Sequence, residues 1–358
     1  MYKSHELEVN KLMMEVLQKN ASDLHLVTGK PPTLRVDSVL VELEEYGIMS
    51  GDSIGTIVDV LLGTEFKKKK FRDEFEIDFS YTYKDNVRFR GNAFMSKGFP
   101  AVALRLIPNK IKTIEELNLP KQIANFTSYP QGLILIVGPT GHGKSTTLAS
   151  MIDLVNHTKA VNIVTIEDPI EFIYVQDKSM VSQREVGVDT KEFARALKSV
   201  LREDINVILV GEMRDLESIS STITLAETGH LVLATLHTND ASQTIDRIID
   251  VFPAFQQPQI RAQLANVLIG VVSQRLLPRI GGGRIPALEI MTNSNAVSNL
   301  IREGKTHQLP NVIHTSGADG MISMDRYLAN LVSQNQVKIE DALPYTTDQS
   351  LFRGLLKV

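Results

Sequence analysis

Apolar residues recur along this chain at two periods, and the change from one to the other divides it. Val9, Leu12, Met13, Val16 and Leu17 stand at i, i+3, i+4, i+7 and i+8, and Ile54, Ile57, Val58, Leu61 and Leu62 repeat that spacing, so both stretches predict amphipathic helices. Phe75, Ile77, Phe79, Tyr81 and Tyr83 alternate with Glu76, Asp78, Ser80 and Thr82, the period-2 pattern of a half-buried strand. Lys84-Asp85-Asn86 supplies turn chemistry. Val87, Phe89 and Ala93 then alternate with Arg88, Arg90 and Asn92, and a further apolar run over 101–107 carries Arg105. Residues 1–108 therefore predict a small α+β domain whose antiparallel sheet has an arginine-bearing face.

Pro108 and the polar segment 109–119 read as a linker. Over 120–358 short buried strands, at 133–137, 163–166, 207–210 and 231–236, alternate with helices, which predicts a parallel α/β domain. Thr190 reads as the cap of a helix with Phe193, Ala194, Leu197, Val200 and Leu201 on its apolar face. Past residue 255 the pattern predicts helices at 260–272, 296–302 and 324–332. The Lys67–Lys70 charge run reads first as a solvated helix end, with a subunit or phospholipid contact as the other reading.

One motif gives this second domain its chemistry. Gly138-Pro139-Thr140-Gly141-His142-Gly143-Lys144-Ser145 matches G-x-x-x-x-G-K-[ST] and lies between the 133–137 strand and a helical run, the setting a phosphate-binding loop requires. Glycines let successive N–H groups converge on phosphates, Lys144 reaches the β and γ phosphates, and Ser145 offers its hydroxyl to Mg²⁺; Thr146 extends the motif. His142 occupies a variable position and reads as a solvent-facing filler. The implied ligands are ATP and Mg²⁺.

Composition narrows the alternatives. The 358 residues exceed most single cores, and 43% hydrophobic with 22% charged residues is ordinary for globular chains. A net charge of −4 gives no global basic field, so a nucleic-acid partner is not expected. There is no cysteine, which excludes disulfides, thiolate zinc sites and a cysteine nucleophile. The N-terminal stretch lacks a signal-peptide core, and no run approaches the roughly 18 apolar residues of a membrane span, so a cytoplasmic protein is expected.

In a parallel sheet ligands gather beyond the carboxyl ends of the strands. Glu167 and Asp168 follow the 163–166 strand, Glu212 and Asp215 follow 207–210, and His230 and His237 bracket 231–236. Glu212 has the placement of a Walker-B acid and is the candidate general base; Glu167 is the alternative base and a candidate for the Mg²⁺ water shell, to which both acids would contribute. Asp168 and Asp215 read equally well as helix caps. Each histidine could hydrogen-bond a γ-phosphate or satisfy local backbone groups. Arg88, Arg90 and Arg105 could neutralise phosphoryl charge from the other domain or could be ordinary surface arginines.

Several further stretches resemble one family, the secretion and type IV pilus motor ATPases, and within it the pilus retraction (PilT) family. They are SDLHL from Ser22, RFRGNAF from Arg88, LRLIP from Leu104, TIEDPIEF from Thr165, LVGEMRD from Leu209 and TGHLVLATLHTNDA from Thr228, the last three similar to the family's Asp box, Walker B and His box. The resemblance implies an N-terminal PAS-like domain, a RecA-like P-loop motor domain with a helical C-terminal part, and a homohexameric ring. It further implies that Arg88, Arg90 and Arg105 reach bound nucleotide, that the ring docks peripherally on an inner-membrane platform protein at the pilus base, and that it can act beside a paralogous retraction ATPase. Lack of a four-cysteine zinc site favours retraction over assembly. AVSNLIRE over 296–303 resembles the retraction motif AIRNLIRE, with Ser298 in place of an arginine, and Arg202-Glu203-Asp204-Ile205-Asn206 departs from the family's usual Q-D-P-D.

Overall fold

The computed structural model describes residues 2–36, 39–84, 87–107 and 110–356, with side chains from Glu6 onward. The turn residues Asp85 and Asn86, and Pro108, lie outside the described residues. The chain divides into two compact units, residues 1–110 with 171–173, and residues 111–170 with 174–358.

In the first unit α1 (Tyr2–Gln18) and α2 (Gly51–Leu62) flank the strands β1 (Asp23–Leu26), β2 (Thr33–Val36) and β3 (Val39–Glu42); α3 (Glu65–Glu74), β4 (Glu76–Tyr83), β5 (Val87–Ser96) and β6 (Phe99–Ile107) follow. The sheet is antiparallel in the order β3-β2-β1-β6-β5-β4. Val9, Leu12, Met13 and Val16 of α1 and Ile54, Ile57, Val58 and Leu61 of α2 are buried with Leu24, Phe89 and Leu104 of the sheet. Both helical stripes thus close over one sheet face. The short strands β1 to β3 have only four residues each, too few to show a period. The lysine run is internal to α3 and not at its end, and Lys68 is buried beside Glu65 at 3.2 Å.

Opposite the helices, register lines up a row of charges. Asp23 lies across from Arg35 on one side and Arg105 on the other, and Arg105 lies across from Arg90. Arg105 Nε donates to Asp23 Oδ1 at 2.8 Å, and Arg35 Nε stands 3.9 Å from Asp23 Oδ2. Arg88, two residues before Arg90, shares that face. Burial raises the Asp23 carboxyl, but the Ser22 hydroxyl and the Arg105 guanidinium together outweigh it and leave the group below its ordinary value.

The second unit opens with a packed arm: of the segment expected as a linker, residues 111–119 belong here, with Ile114 and Leu119 buried. Then come α4 (Lys121–Phe126), β7 (Gly132–Val137), α5 (Lys144–Thr158), β8 (Asn162–Glu167), β9 (Met180–Glu185), α6 (Phe193–Val200), β10 (Val207–Val210), α7 (Leu216–Glu227), β11 (Leu231–Leu236), α8 (Ala241–Asp250) and α9 (Gln257–Val267). A hairpin of β12 (Leu268–Pro278) and β13 (Arg284–Thr292) precedes α10 (Asn295–Glu303), α11 (Leu309–Thr315), α12 (Met324–Ser333), α13 (Ile339–Ala342) and α14 (Gln349–Leu355). The sheet runs β13-β12-β7-β11-β10-β8-β9, parallel except for β13.

Two expectations are corrected here. The predicted helix at 260–272 ends at Val267, and the chain continues as β12 against β7. Leu268 to Val272 are buried on both sheet faces, so their continuous apolar run satisfies a central strand as well as a helix. Thr190 does not cap α6: it bridges to Val186, and Glu192 stands at the cap position.

Candidate functional site

The carboxyl ends of β7, β8, β10 and β11 meet at one edge of the parallel sheet. The phosphate loop leaves β7 at Gly138, and α5 starts at Lys144. Gly138, Gly141 and Gly143 take positive φ values of 141°, 80° and 83°, which only glycine adopts without strain. Lys144 is buried, and its Nζ donates to the carbonyls of Gly138 (2.8 Å) and Pro139 (3.0 Å). Its charge is thereby held inside the loop, where arriving phosphate oxygens can take over those bonds.

Glu212 follows β10 by two residues, and His237 follows β11 by one. Parallel pairing of β10 with β11 brings them together: His237 Nε2 lies 3.5 Å from Glu212 Oε1. The other ring nitrogen, Nδ1, lies 3.3 Å from Thr140 Oγ1 of the phosphate loop. Glu212 Oε2 is paired with Arg214 Nη2 at 2.8 Å, and this carboxylate, with Asp168 as a further contributor, raises the Arg214 guanidinium. The imidazole therefore stands between the loop, to which it is hydrogen-bonded, and a carboxylate held on its far side by a guanidinium.

Glu167 ends β8 and is buried, accepting from Thr165 Oγ1 (2.7 Å) and Gln183 Nε2 (3.4 Å). Its Cα sits beside Gly211, where a Cβ would approach within 3.3 Å. The two acids thus occupy neighbouring strand ends, Glu167 fixed and Glu212 more open.

Other expected residues are placed differently. His230 is not in this site: it precedes β11 at the opposite end of that strand, where its carbonyl accepts from Gly132 N and its Nδ1 meets the Leu225 carbonyl at 2.9 Å. It satisfies local backbone. Asp215 caps α7 by accepting from Ser218 N at 2.8 Å. His142 is half-buried and bonded to β12, a correction of the solvent-facing reading. Arg88, Arg90 and Arg105 belong to the first unit, as described above. Among the described residues no group of three His, Asp or Glu side chains could hold a metal. The hard oxygens of Ser145, Glu167 and Glu212 nevertheless suit a Mg²⁺ ion that takes its remaining ligands from water and phosphate.

Sequence reasoning missed Arg214 and Thr165, each bonded to an acid two residues away, and Gln183, which reaches Glu167 across the β8–β9 pairing. It also missed Gln274, Arg275 and Leu276, which support the loop from β12. The GEMRD stretch at 211–215 held the signal for Arg214, a basic residue two positions from the acid.

A phosphate loop at the end of a parallel sheet, with an acid and a histidine on the adjoining strand ends, defines a P-loop nucleotide hydrolase. The model of the family described as type II/IV secretion system protein matches residues 3–287. The chain is 44% identical over 336 residues to the type IV pilus retractation ATPase PilT of Pseudomonas aeruginosa, covering 94% of this chain and 97% of the relative. It is 45% identical to a twitching motility protein of Neisseria gonorrhoeae, over 87% of this chain and 83% of that one. A crystal structure of the pilus retraction motor PilT with bound ADP superposes with a TM-score of 0.89 at 43% identity, covering 96% of this chain and 98% of the other. The chain belongs to the type II/IV secretion system protein family and is an ATP hydrolase of the PilT type.

Proposed function

We propose that the chain is the motor of type IV pilus retraction: a homohexameric Mg-ATPase whose hydrolysis cycle extracts pilin at the pilus base and drives twitching motility. The observation that carries the catalytic part is the placement of Glu212 against His237, which in turn meets the phosphate loop at Thr140. Similarity to a retraction ATPase over nearly the whole chain supports the cellular part.

In this reading Lys144 leaves the Gly138 and Pro139 carbonyls to neutralise the β and γ phosphates. Glu212 accepts a proton from the attacking water as its oxygen bonds to the γ phosphorus and the bond to the β–γ bridging oxygen breaks. His237 holds Glu212 relative to the loop, so loss of the γ-phosphate is reported from Thr140 to the acid. The Ser145 hydroxyl, and through water Glu167 and Glu212, would hold a Mg²⁺ ion, which when bound would supply charge neutralisation on the phosphate oxygens.

The antiparallel sheet with helices on one face supports a PAS-like first domain, and the parallel sheet with its phosphate loop a RecA-like second. The Arg88, Arg90 and Arg105 row is suited to completing a nucleotide site in a ring, where hydrolysis would then change domain orientation. No described helix is long and apolar enough to cross a membrane, in keeping with a cytoplasmic ring docked peripherally on an inner-membrane platform protein. A second reading, an accessory ring acting with a paralogous motor, is favoured by 36% identity over 98% of this chain to the type IV pilus ATPase PilU of Pseudomonas aeruginosa. ATP turnover by the purified chain, with retraction restored in cells lacking every other retraction motor, distinguishes the first reading; turnover without restored retraction supports the second.

A further inference from the structure

The phosphate loop of this chain is seated on β12, and the seat is built from both backbone and side chains. A Cβ on Gly138 would lie 2.4 Å from the Gln274 carbonyl oxygen, and one on Gly143 would lie 2.9 Å from Gln274 Nε2 and 3.1 Å from Leu276 Cδ1. Such close approach leaves the loop no freedom on that side. Gln274 is buried, and its amide is used at both ends: Nε2 donates to the His142 carbonyl at 2.8 Å, and Oε1 accepts from Thr147 Oγ1 at 2.8 Å. The loop and the first turn of α5 are therefore tied to one side chain of β12.

His142 adds a second tie. The backbone N–H of Leu276 donates to His142 Nδ1 at 2.9 Å, and the ring meets the Tyr345 ring edge-on, with centroids 6.1 Å apart. An Nδ1 that accepts carries no proton, so this bond exists only with a neutral imidazole. The groups facing the ring agree with that state. Arg275 of β12, Lys144 of α5 and Arg284 of β13 are all cationic, and after burial itself they hold the imidazole below its ordinary value.

We propose that His142 is a positioning residue for nucleotide binding: its neutral ring pins the crest of the phosphate loop to Leu276 of β12, while Gln274 turns the His142 carbonyl away from the phosphate side. The residue acts through the loop backbone, whose N–H groups must converge on the phosphates before they arrive. Because Tyr345 stands between α13 and α14, the same ring also joins the loop to the C-terminal helices.

The test uses the full chain, Mg²⁺ and a fluorescent N-methylanthraniloyl ADP titrated between pH 8 and pH 5.5. Wild-type binding reports the nucleotide reading on which the proposal rests, and the variants report the anchor. His142→Ala, which removes one hydrogen bond from the loop, weakens binding roughly 3- to 10-fold at pH 8. His142→Asn places an acceptor oxygen near the Nδ1 position and recovers most of that loss. The ratio of wild-type to His142→Asn affinity, in which the titration of the nucleotide's own phosphates cancels, stays constant from pH 8 down through the ordinary imidazole value of about 6.5, because the ring is held neutral below that value. An alanine variant that binds as wild type overturns the proposal. So does an affinity ratio that already falls between pH 8 and about pH 6.5, or an asparagine variant no better than alanine. Should the alanine variant fail to fold, the asparagine variant and its pH ratio decide the matter alone.

Discussion

His237 Nε2 approaches Glu212 Oε1 to 3.5 Å while Nδ1 of the same ring lies 3.3 Å from Thr140 Oγ1, so one imidazole spans the phosphate loop and the acid. His237→Ala removes this link but leaves Lys144, Ser145 and the glycines in place. ATP binding is therefore retained within about threefold, and kcat falls by about 10- to 100-fold, within the range for a residue that orients a general base. Equilibrium nucleotide binding and steady-state turnover on the same preparation check both halves.

Glu289 of β13 is buried and is pushed up to about 7 by that burial, with Asp240 and Asp325 adding to the rise and Ala241 N and Arg275 opposing it. A carboxyl raised in the folded state contributes stability that is complete below its unfolded value of about 4.3 and is lost as pH rises through the folded value. Glu289→Gln keeps an oxygen to accept from Ala241 N and never ionises. It is therefore more stable than the parent at pH 8, by on the order of 1–3 kcal/mol, with the gap closing toward pH 5. Denaturant unfolding at the two pH values measures the gap.

Asp23 carries the opposite sign. Its carboxyl is lowered, so its contribution is present above the unfolded value of about 3.9 and is lost as pH falls through the folded one. Asp23→Asn should lose stability at pH 7 and show a flatter melting temperature than the parent below about pH 4. Thermal melts from pH 3 to pH 7 give the comparison. Because Arg105 is itself largely exposed, the size of the effect is set by Asp23 and its other partners.

The AVSNLIRE stretch forms α10, with Val297, Ser298 and Ile301 buried and Gly304 closing the helix at a φ of 69°. Arg302 is exposed and bonds Asn266 at 2.9 Å and Asn299 at 3.1 Å. Arg302→Ala keeps these core contacts, and the folded protein retains its ATPase rate. If this helix couples hydrolysis to retraction, as its likeness to the retraction motif implies, cells carrying the variant hold many pili and do not twitch, scored by pilus counts and colony spreading; parental twitching would rule that coupling out.

How much could be read beforehand followed the range of each interaction. The phosphate loop and Glu212 were legible because local pattern, a glycine-rich loop after a strand and an acid after a strand, fixes their setting. The β12–β13 hairpin was not, because a strand buried on both faces has no period to separate it from a helix. With that hairpin went Gln274 and Leu276, whose contacts with His142 depend on strand pairing far along the chain. Ser298 departs from the family motif for a local reason visible only in space: its hydroxyl bonds the Ala265 carbonyl at 3.1 Å and Asn293 Oδ1 at 2.9 Å. The Arg202–Asn206 departure lies before β10, at the end of that strand away from Glu212, and there Asn206 Oδ1 accepts from Asn162 N at 2.8 Å.

The central claim is that Glu212 is the base of an ATPase that drives retraction, and Glu212→Gln tests it most directly. The substitution keeps shape and removes the proton acceptor. The purified variant should bind ATP as the parent does and hydrolyse it at least about 100-fold more slowly, whereas Lys144→Ala should lose tight binding itself. Cells in which Glu212→Gln replaces the parent should be heavily piliated and unable to twitch. Hydrolysis at the parental rate would pass the role of base to Glu167, and twitching at parental speed with hydrolysis abolished would contradict the motor reading outright.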